Sequence, residues 1–72
     1  MGQRLYELRT REGLTQEGLA RKADVTTGAV RNWEKGKRTP SFEMAIRLAD
    51  ALEVTLDELA GRVPPAPKKK GK

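Results

Sequence analysis

Two helical patterns separated by only a few residues constrain this chain more than any other feature. In TQEGLARKADVTTGAVRNWEKG, residues 15–36, apolar positions recur at helical spacing, stop at KADVTT and resume directly afterwards. Two helices joined by so short a turn must cross at a steep angle. The sequence therefore predicts an all-α fold built around this pair of helices.

Length and composition exclude several classes of protein. A chain of 72 residues buries too little surface to divide into two cores, so we expect one folded domain. The absence of Cys and His removes disulfides, thiol and imidazole catalysis and the common zinc sites. No phosphate-cradling glycine loop is present either, and we expect neither an enzyme nor a cofactor or metal site. No segment is long and apolar enough for a membrane span or signal peptide, which makes the cytoplasm the default location.

The net charge of +5 is unevenly distributed along the chain. Residues 1–41 hold nine basic and five acidic residues, residues 42–61 hold one and five, and residues 62–72 hold five and none. A basic N-terminal half is typical of a protein that binds a polyanion. Charge alone leaves open that these side chains only keep a small domain soluble.

Five short amphipathic helices account for residues 1–61. Leu5 and Leu8 mark the first, which Gly13 should end. Thr15 and Thr26 are predicted N-caps of the second and third helices, and Thr55 of the fifth. The predicted core positions of helices two to five are Leu19, Ala20, Ala23, Ala29, Val30, Trp33, Phe42, Ala45, Ile46, Ala49, Leu52, Leu56 and Leu59, with Leu48 beside them on the apolar face of the fourth helix. Arg9 and Arg11 should lie on the helix surface.

Two corners of this fold lack the expected glycine. Asp24 before Val25, and Glu53 before Val54, occupy positions where a left-handed backbone is usually needed. A residue with a Cβ atom pays of order 1 kcal/mol for that conformation. We expect both corners to be left-handed nonetheless.

Taken together, LTQEGLA, VTTGAVRNWEKGKRTPS and LADALEVTLDEL resemble the Cro and phage-repressor helix-turn-helix family, which is XRE-like. The likeness runs from about Leu5 to Leu59. It implies a compact, five-helix, lambda-repressor-like domain that binds double-stranded DNA with helices two and three. The function it implies is sequence-specific transcriptional regulation, most often repression.

The resemblance places four residues of the third helix against base edges, namely Thr27, Gly28, Arg31 and Asn32. Arg can bond guanine through two N–H groups, Asn can pair with adenine, and a Thr methyl group can contact thymine. Gly28 departs from the family, because a long polar side chain often stands there. Specificity then rests on fewer contacts, or the backbone approaches the DNA closely.

The same resemblance assigns a second set to the sugar-phosphate backbone, namely Gln16, Thr26, Lys35, Lys37 and Arg38. Gln16 begins the second helix, whose free N–H groups favour an anion. The basic residues follow the third helix and would set affinity more than sequence preference. For these residues, solvated surface positions remain the alternative.

The resemblance also implies a homodimer reading two half-sites. Leu56, Leu59 and Val63 are candidate contacts, because a fifth helix this short is expected to leave apolar residues uncovered. We expect no second domain for a small-molecule effector. An alternative function is an antitoxin or adaptor that binds a protein through its acidic surface, formed by Glu43, Asp50, Glu53, Asp57 and Glu58.

Residues 62–72, RVPPAPKKKGK, have no pattern that predicts a helix or strand. Prolines favour extended polyproline geometry, and the lysines have nothing to bury, so we expect a disordered basic tail. It either adds a salt-sensitive contact to DNA or serves only solubility.

Overall fold

The computed structural model describes residues 2–61, which form five α-helices. They are α1 (Gly2–Arg11), α2 (Gln16–Ala23), α3 (Thr27–Lys35), α4 (Phe42–Leu52) and α5 (Leu56–Ala60). No strand occurs in this range. The predicted all-α, five-helix class is therefore confirmed, whereas the tail and Val63 lie outside the described residues.

A hydroxyl side chain begins each of the last four helices. The Oγ1 atoms of Thr15, Thr26 and Thr55 accept hydrogen bonds from the backbone N–H three residues later. Ser41 does the same for α4. Thr55 also forms a capping box, in which the Glu58 carboxylate accepts from the Thr55 backbone N–H at 2.9 Å. These caps fix where each helix starts because they satisfy N–H groups that have no partner inside the helix.

Both corners without glycine are left-handed, as predicted. Asp24 has φ 61° and ψ 48°, and Glu53 has φ 59° and ψ 44°. In each corner the following valine donates its backbone N–H to a carbonyl five residues earlier, at 2.9 Å. Val25 and Val54 then pack against the core. This arrangement ends α2 and α4 sharply, and at Asp24 it sets the angle between α2 and α3.

The core is a single cluster to which all five helices contribute. Its fully buried side chains are Leu5, Leu8, Leu19, Val30, Leu48, Leu52 and Leu59. Trp33 is only 6% exposed, which confirms it as a core residue. Because Val30 and Trp33 hold the inner face of α3, the opposite face of that helix is left at the surface.

Phe42 and Ile46 were predicted to be buried, and that prediction is wrong. Phe42 is 73% exposed and Ile46 38% exposed, whereas Leu48 is fully buried. At about 100° per residue, Phe42 lies about 120° around α4 from Leu48. The apolar residues of α4 cover a wider arc than the neighbouring helices can bury, and the core takes only part of it.

Leu59 is likewise corrected as a dimer contact, because it is fully buried in the core. Leu56 also packs against the core but is only half-buried, so part of its side chain stays at the surface. Among the described residues, no helix is long and apolar enough to cross a bilayer.

Candidate nucleic-acid interface

The four predicted base-reading residues lie together at the start and on the outer face of α3. Arg31 is exposed, and Thr27, Gly28 and Asn32 are half-buried. Within residues 2–61, the side chains of Arg31 and Asn32 have no hydrogen bond or ion pair. Their donors and acceptors are therefore available to a ligand, because the protein itself does not use them.

Gly28 leaves an open space at the first turn of α3. A Cβ atom built at this position meets nothing within 4 Å. The space belongs to a depression of about 570 Å³ that separates α3 from the loop leading into α4. Its lining residues are Thr26, Gly28, Ala29, Asn32, Trp33, Arg38, Thr39, Pro40, Ser41 and Met44. The structure thus brings Arg38 to the same surface as Asn32 and Gly28.

The loop after α3 presents the predicted basic residues. Gly36 ends α3 with φ 79°, and Lys37 returns its backbone N–H to the Asn32 carbonyl at 3.0 Å. The side chains of Lys35, Lys37 and Arg38 are exposed on either side of this turn. Their positive charge therefore flanks the outer face of α3, as expected for contacts to phosphates.

The Thr26 hydroxyl can cap α3 and donate a hydrogen bond to DNA at the same time. Its Oγ1 accepts from the Ala29 backbone N–H at 3.1 Å, which caps α3. The hydroxyl hydrogen remains free to be donated outward, since a hydroxyl can accept and donate at once. A phosphate oxygen near the N-terminus of α3 would also be favoured by the helix dipole.

An ion pair between α1 and α3 lies behind this surface, and sequence reasoning missed it. The Arg9 Nε donates to Glu34 Oε2 at 2.6 Å, and its Nη2 donates to Glu34 Oε1 at 3.1 Å. The side chains of Arg9 and Glu34 are only 11% and 8% exposed, so the prediction that Arg9 lies on the helix surface is wrong. Arg9 also donates through Nη1 to the Leu14 carbonyl at 2.8 Å. One guanidinium therefore joins α1, the following loop and α3.

Arg9 stays positively charged in this environment. The hydrogen bond to Glu34 raises the pKa of Arg9, and burial partly opposes that shift. The stabilisation from this shift is fully present below the pKa that Arg9 has in the unfolded chain. It is lost only as the pH rises through the higher pKa that Arg9 has in the folded protein. Titration of Arg9 therefore does not weaken the pair at physiological pH.

Gln16 is bound to the same carboxylate. Its Nε2 donates to Glu34 Oε1 at 3.1 Å, an internal contact that the sequence did not indicate. The contact ties the start of α2 to the far end of α3 and fixes the direction of the amide. The second N–H of that amide remains available to a phosphate oxygen, because Nε2 carries two hydrogens.

Comparison with known proteins identifies the fold. Residues 5–59 match the helix-turn-helix family HTH_3. The transcriptional activator BcrR of Enterococcus faecalis is 40% identical over 57 residues, which are 79% of this chain and 28% of BcrR. The chain thus spans little more than a quarter of that relative.

Two solved structures share the fold. The restriction-modification controller protein C.AhdI of Aeromonas hydrophila is 43% identical with a TM-score of 0.78, over 81% of this chain and 88% of that one. The P22 c2 repressor, solved in complex with a synthetic operator, is 28% identical with a TM-score of 0.77, over the same shares of the two chains. With the family match covering most of its length, this chain belongs to the helix-turn-helix family HTH_3.

Proposed function

We propose that this protein is a transcriptional regulator, acting as a repressor, that binds double-stranded DNA sequence-specifically by inserting α3 into the major groove. The observation that carries the proposal is the outer face of α3, where Arg31 and Asn32 are accessible and unpaired within residues 2–61. The groove admits one α-helix, and polar side chains near its N-terminus reach base edges.

In this proposal Thr27, Arg31 and Asn32 read bases, and Gly28 allows the α3 backbone to approach the DNA. The open space at its Cβ position supports that role. Backbone contacts come from both sides of α3, through Gln16 and Thr26 at the helix starts and through the basic loop of Lys35, Lys37 and Arg38. The name of BcrR, a transcriptional activator, supports transcriptional regulation in general, and the P22 c2 repressor, solved with an operator, supports repression through DNA binding.

We further propose that the protein acts as a homodimer in the cytoplasm. One reading helix contacts too few base pairs to select a site in a genome, whereas two related by two-fold symmetry read half-sites about one DNA turn apart. Leu56, which is half-buried, and Val63 remain candidate contacts for this dimer, and Leu59 does not.

Selection of duplexes from a random pool, at one stated salt concentration, tests this function. Enrichment of a palindromic motif supports sequence-specific binding by a dimer, because the symmetry of the site mirrors that of the protein. If all duplexes are retained equally, sequence-specific regulation is ruled out. If the enriched motif has a single half-site and the bound complex contains one chain, the dimer is ruled out and base reading remains.

A further inference from the structure

The exposed face of α4 combines apolar and acidic side chains in one stripe. Phe42, Ile46 and Asp50 follow one another at intervals of four residues, which places them on the same side of the helix. Phe42 is among the most exposed large apolar residues of the described chain. Glu53 ends the stripe at the C-cap of α4. None of these four side chains contributes to the DNA-binding surface proposed above.

Within residues 2–61, no cation lies within ion-pair distance of the two acids of this stripe, although Asp50 lines a depression together with Lys22 and Arg47. Within residues 2–61, Asp50 and Glu53 have no ion pair or side-chain hydrogen bond, whereas Glu43 on the same helix pairs with Arg47 at 3.2 Å. Both acids lie at the C-terminal end of α4, where the helix dipole favours positive charge. The last turn of α4 has no basic residue. A cation from elsewhere would therefore relieve two unfavourable terms at once.

A second copy of the same stripe does not suit this position. In a two-fold contact the partner offers the same stripe: parallel copies of α4 would bring Asp50 and Glu53 towards the same acids, antiparallel copies would place them over Phe42, and neither arrangement supplies a counter-ion. Burying like charges together without a counter-ion is unfavourable. The stripe instead fits a segment that is strongly basic and has long aliphatic stems.

We propose that the stripe formed by Phe42, Ile46, Asp50 and Glu53 binds the C-terminal segment of this same chain, residues 62–72. That segment has five basic residues and no acid. Its lysine ammonium groups would pair with the two carboxylates. Their aliphatic stems would cover Ile46, and an ammonium group over the Phe42 ring would add a cation–π contact.

The length of the chain allows this contact. Gly61 follows α5, and the path from Glu53 to Gly61 spans at most about 20 Å, from 1.5 Å per residue in the helix and up to 3.6 Å per residue outside it. Residues 62–68 span about 22 Å in the polyproline geometry that their prolines favour. Lys68 can therefore reach Glu53, and the lysines after it can extend along α4 towards Ile46.

Paramagnetic broadening in the chain of residues 1–72 tests the proposal. Because the sequence has no cysteine, a single introduced cysteine can be labelled selectively. A nitroxide is attached at Ala66→Cys, and backbone amide signals are compared with those of the reduced label. We expect excess broadening at Ile46, Asp50 and Glu53 relative to Glu7 on α1 and Arg31 on α3. The excess should disappear in 1 M salt, where the screening length falls to about 3 Å.

A charge variant separates binding of the segment to α4 from the proximity that its covalent attachment at Gly61 produces by itself. Asp50→Asn with Glu53→Gln should lose the excess, whereas the matched control, Glu7→Gln with Glu17→Gln, changes net charge equally and should retain it. Broadening that is uniform, centred on another surface, or equally reduced in both variants overturns the proposal. So does broadening that appears only between labelled and unlabelled molecules in a mixed sample. If the double variant unfolds, the salt dependence measured on the labelled protein with Asp50 and Glu53 intact still tests the proposal.

Discussion

The guanidinium of Arg9 on α1 donates to both carboxylate oxygens of Glu34 on α3, at 2.6 Å and 3.1 Å. Glu34 lies in the last turn of the helix proposed to read DNA, and Gln16 on α2 donates to the same carboxylate. Three helices therefore meet at one buried charge. The position of the outer face of α3 depends on this contact, because it fixes the helix against both of its neighbours.

Replacing Arg9 by Met should lower the free energy of unfolding by about 3 kcal/mol, because Glu34 is then left buried without its counter-ion. Urea denaturation measures the change. The control is Arg21→Met on the exposed face of α2, which should change stability by less than about 0.5 kcal/mol. Equal losses in the two variants would mean that the ion pair adds nothing beyond a surface arginine.

Gln16→Ala should weaken binding to every duplex by a similar factor, about fivefold, which corresponds to the loss of one hydrogen bond of about 1 kcal/mol. The amide is proposed to contact a phosphate, so the preferred sequence should not change. Titration of a selected duplex and a scrambled one measures both effects. Gln3→Ala on the exposed part of α1 serves as the control. A changed sequence preference would place Gln16 among the base-reading residues instead.

Gly28→Ala should raise the free energy of unfolding by up to about 1 kcal/mol, because alanine favours a helix and its Cβ atom meets nothing within 4 Å. Thermal and urea denaturation test this. Gly36→Ala is the opposite control, since Gly36 has φ 79° and alanine there should cost about 1 kcal/mol. A destabilised Gly28→Ala variant would show that the open space is occupied in solution.

Lys37→Ala should reduce the slope of log K against log salt concentration by about 0.9, the value for one phosphate contact. Sequence preference should stay the same. Lys22→Ala, at the exposed end of α2, provides a control of equal charge. If both substitutions reduce the slope equally, the effect reflects the overall charge of the protein and not a contact from the loop after α3.

Helix boundaries and corners could be predicted because they depend on neighbouring residues. A threonine hydroxyl caps the N–H groups three residues later, and Thr15 and Thr26 do so in the structure. Asp24 is left-handed because Val25 must turn back into the core within one residue. These signals need no knowledge of how the helices cross.

The Arg9–Glu34–Gln16 cluster could not be predicted for the opposite reason. Arg9 and Glu34 are 25 residues apart in sequence, and only the crossing of α1 and α3 brings them together. Arg9 lies four residues after Leu5, on the same face of α1, but an arginine on an amphipathic helix is normally solvated, so its charge argued against burial. Phe42 illustrates the converse, because periodicity indicates an apolar face but not how much of it the neighbouring helices cover.

The most direct measurement of the central claim compares the duplex motifs selected by the wild-type protein and by Arg31→Ala at the same salt concentration. If α3 reads the major groove, the variant should lose preference at one base pair in each half-site and keep the rest of the motif, at a cost of about 1–3 kcal/mol in affinity. An unchanged motif, with affinity lowered equally for all duplexes, would contradict base reading by α3 and leave Arg31 as a phosphate contact.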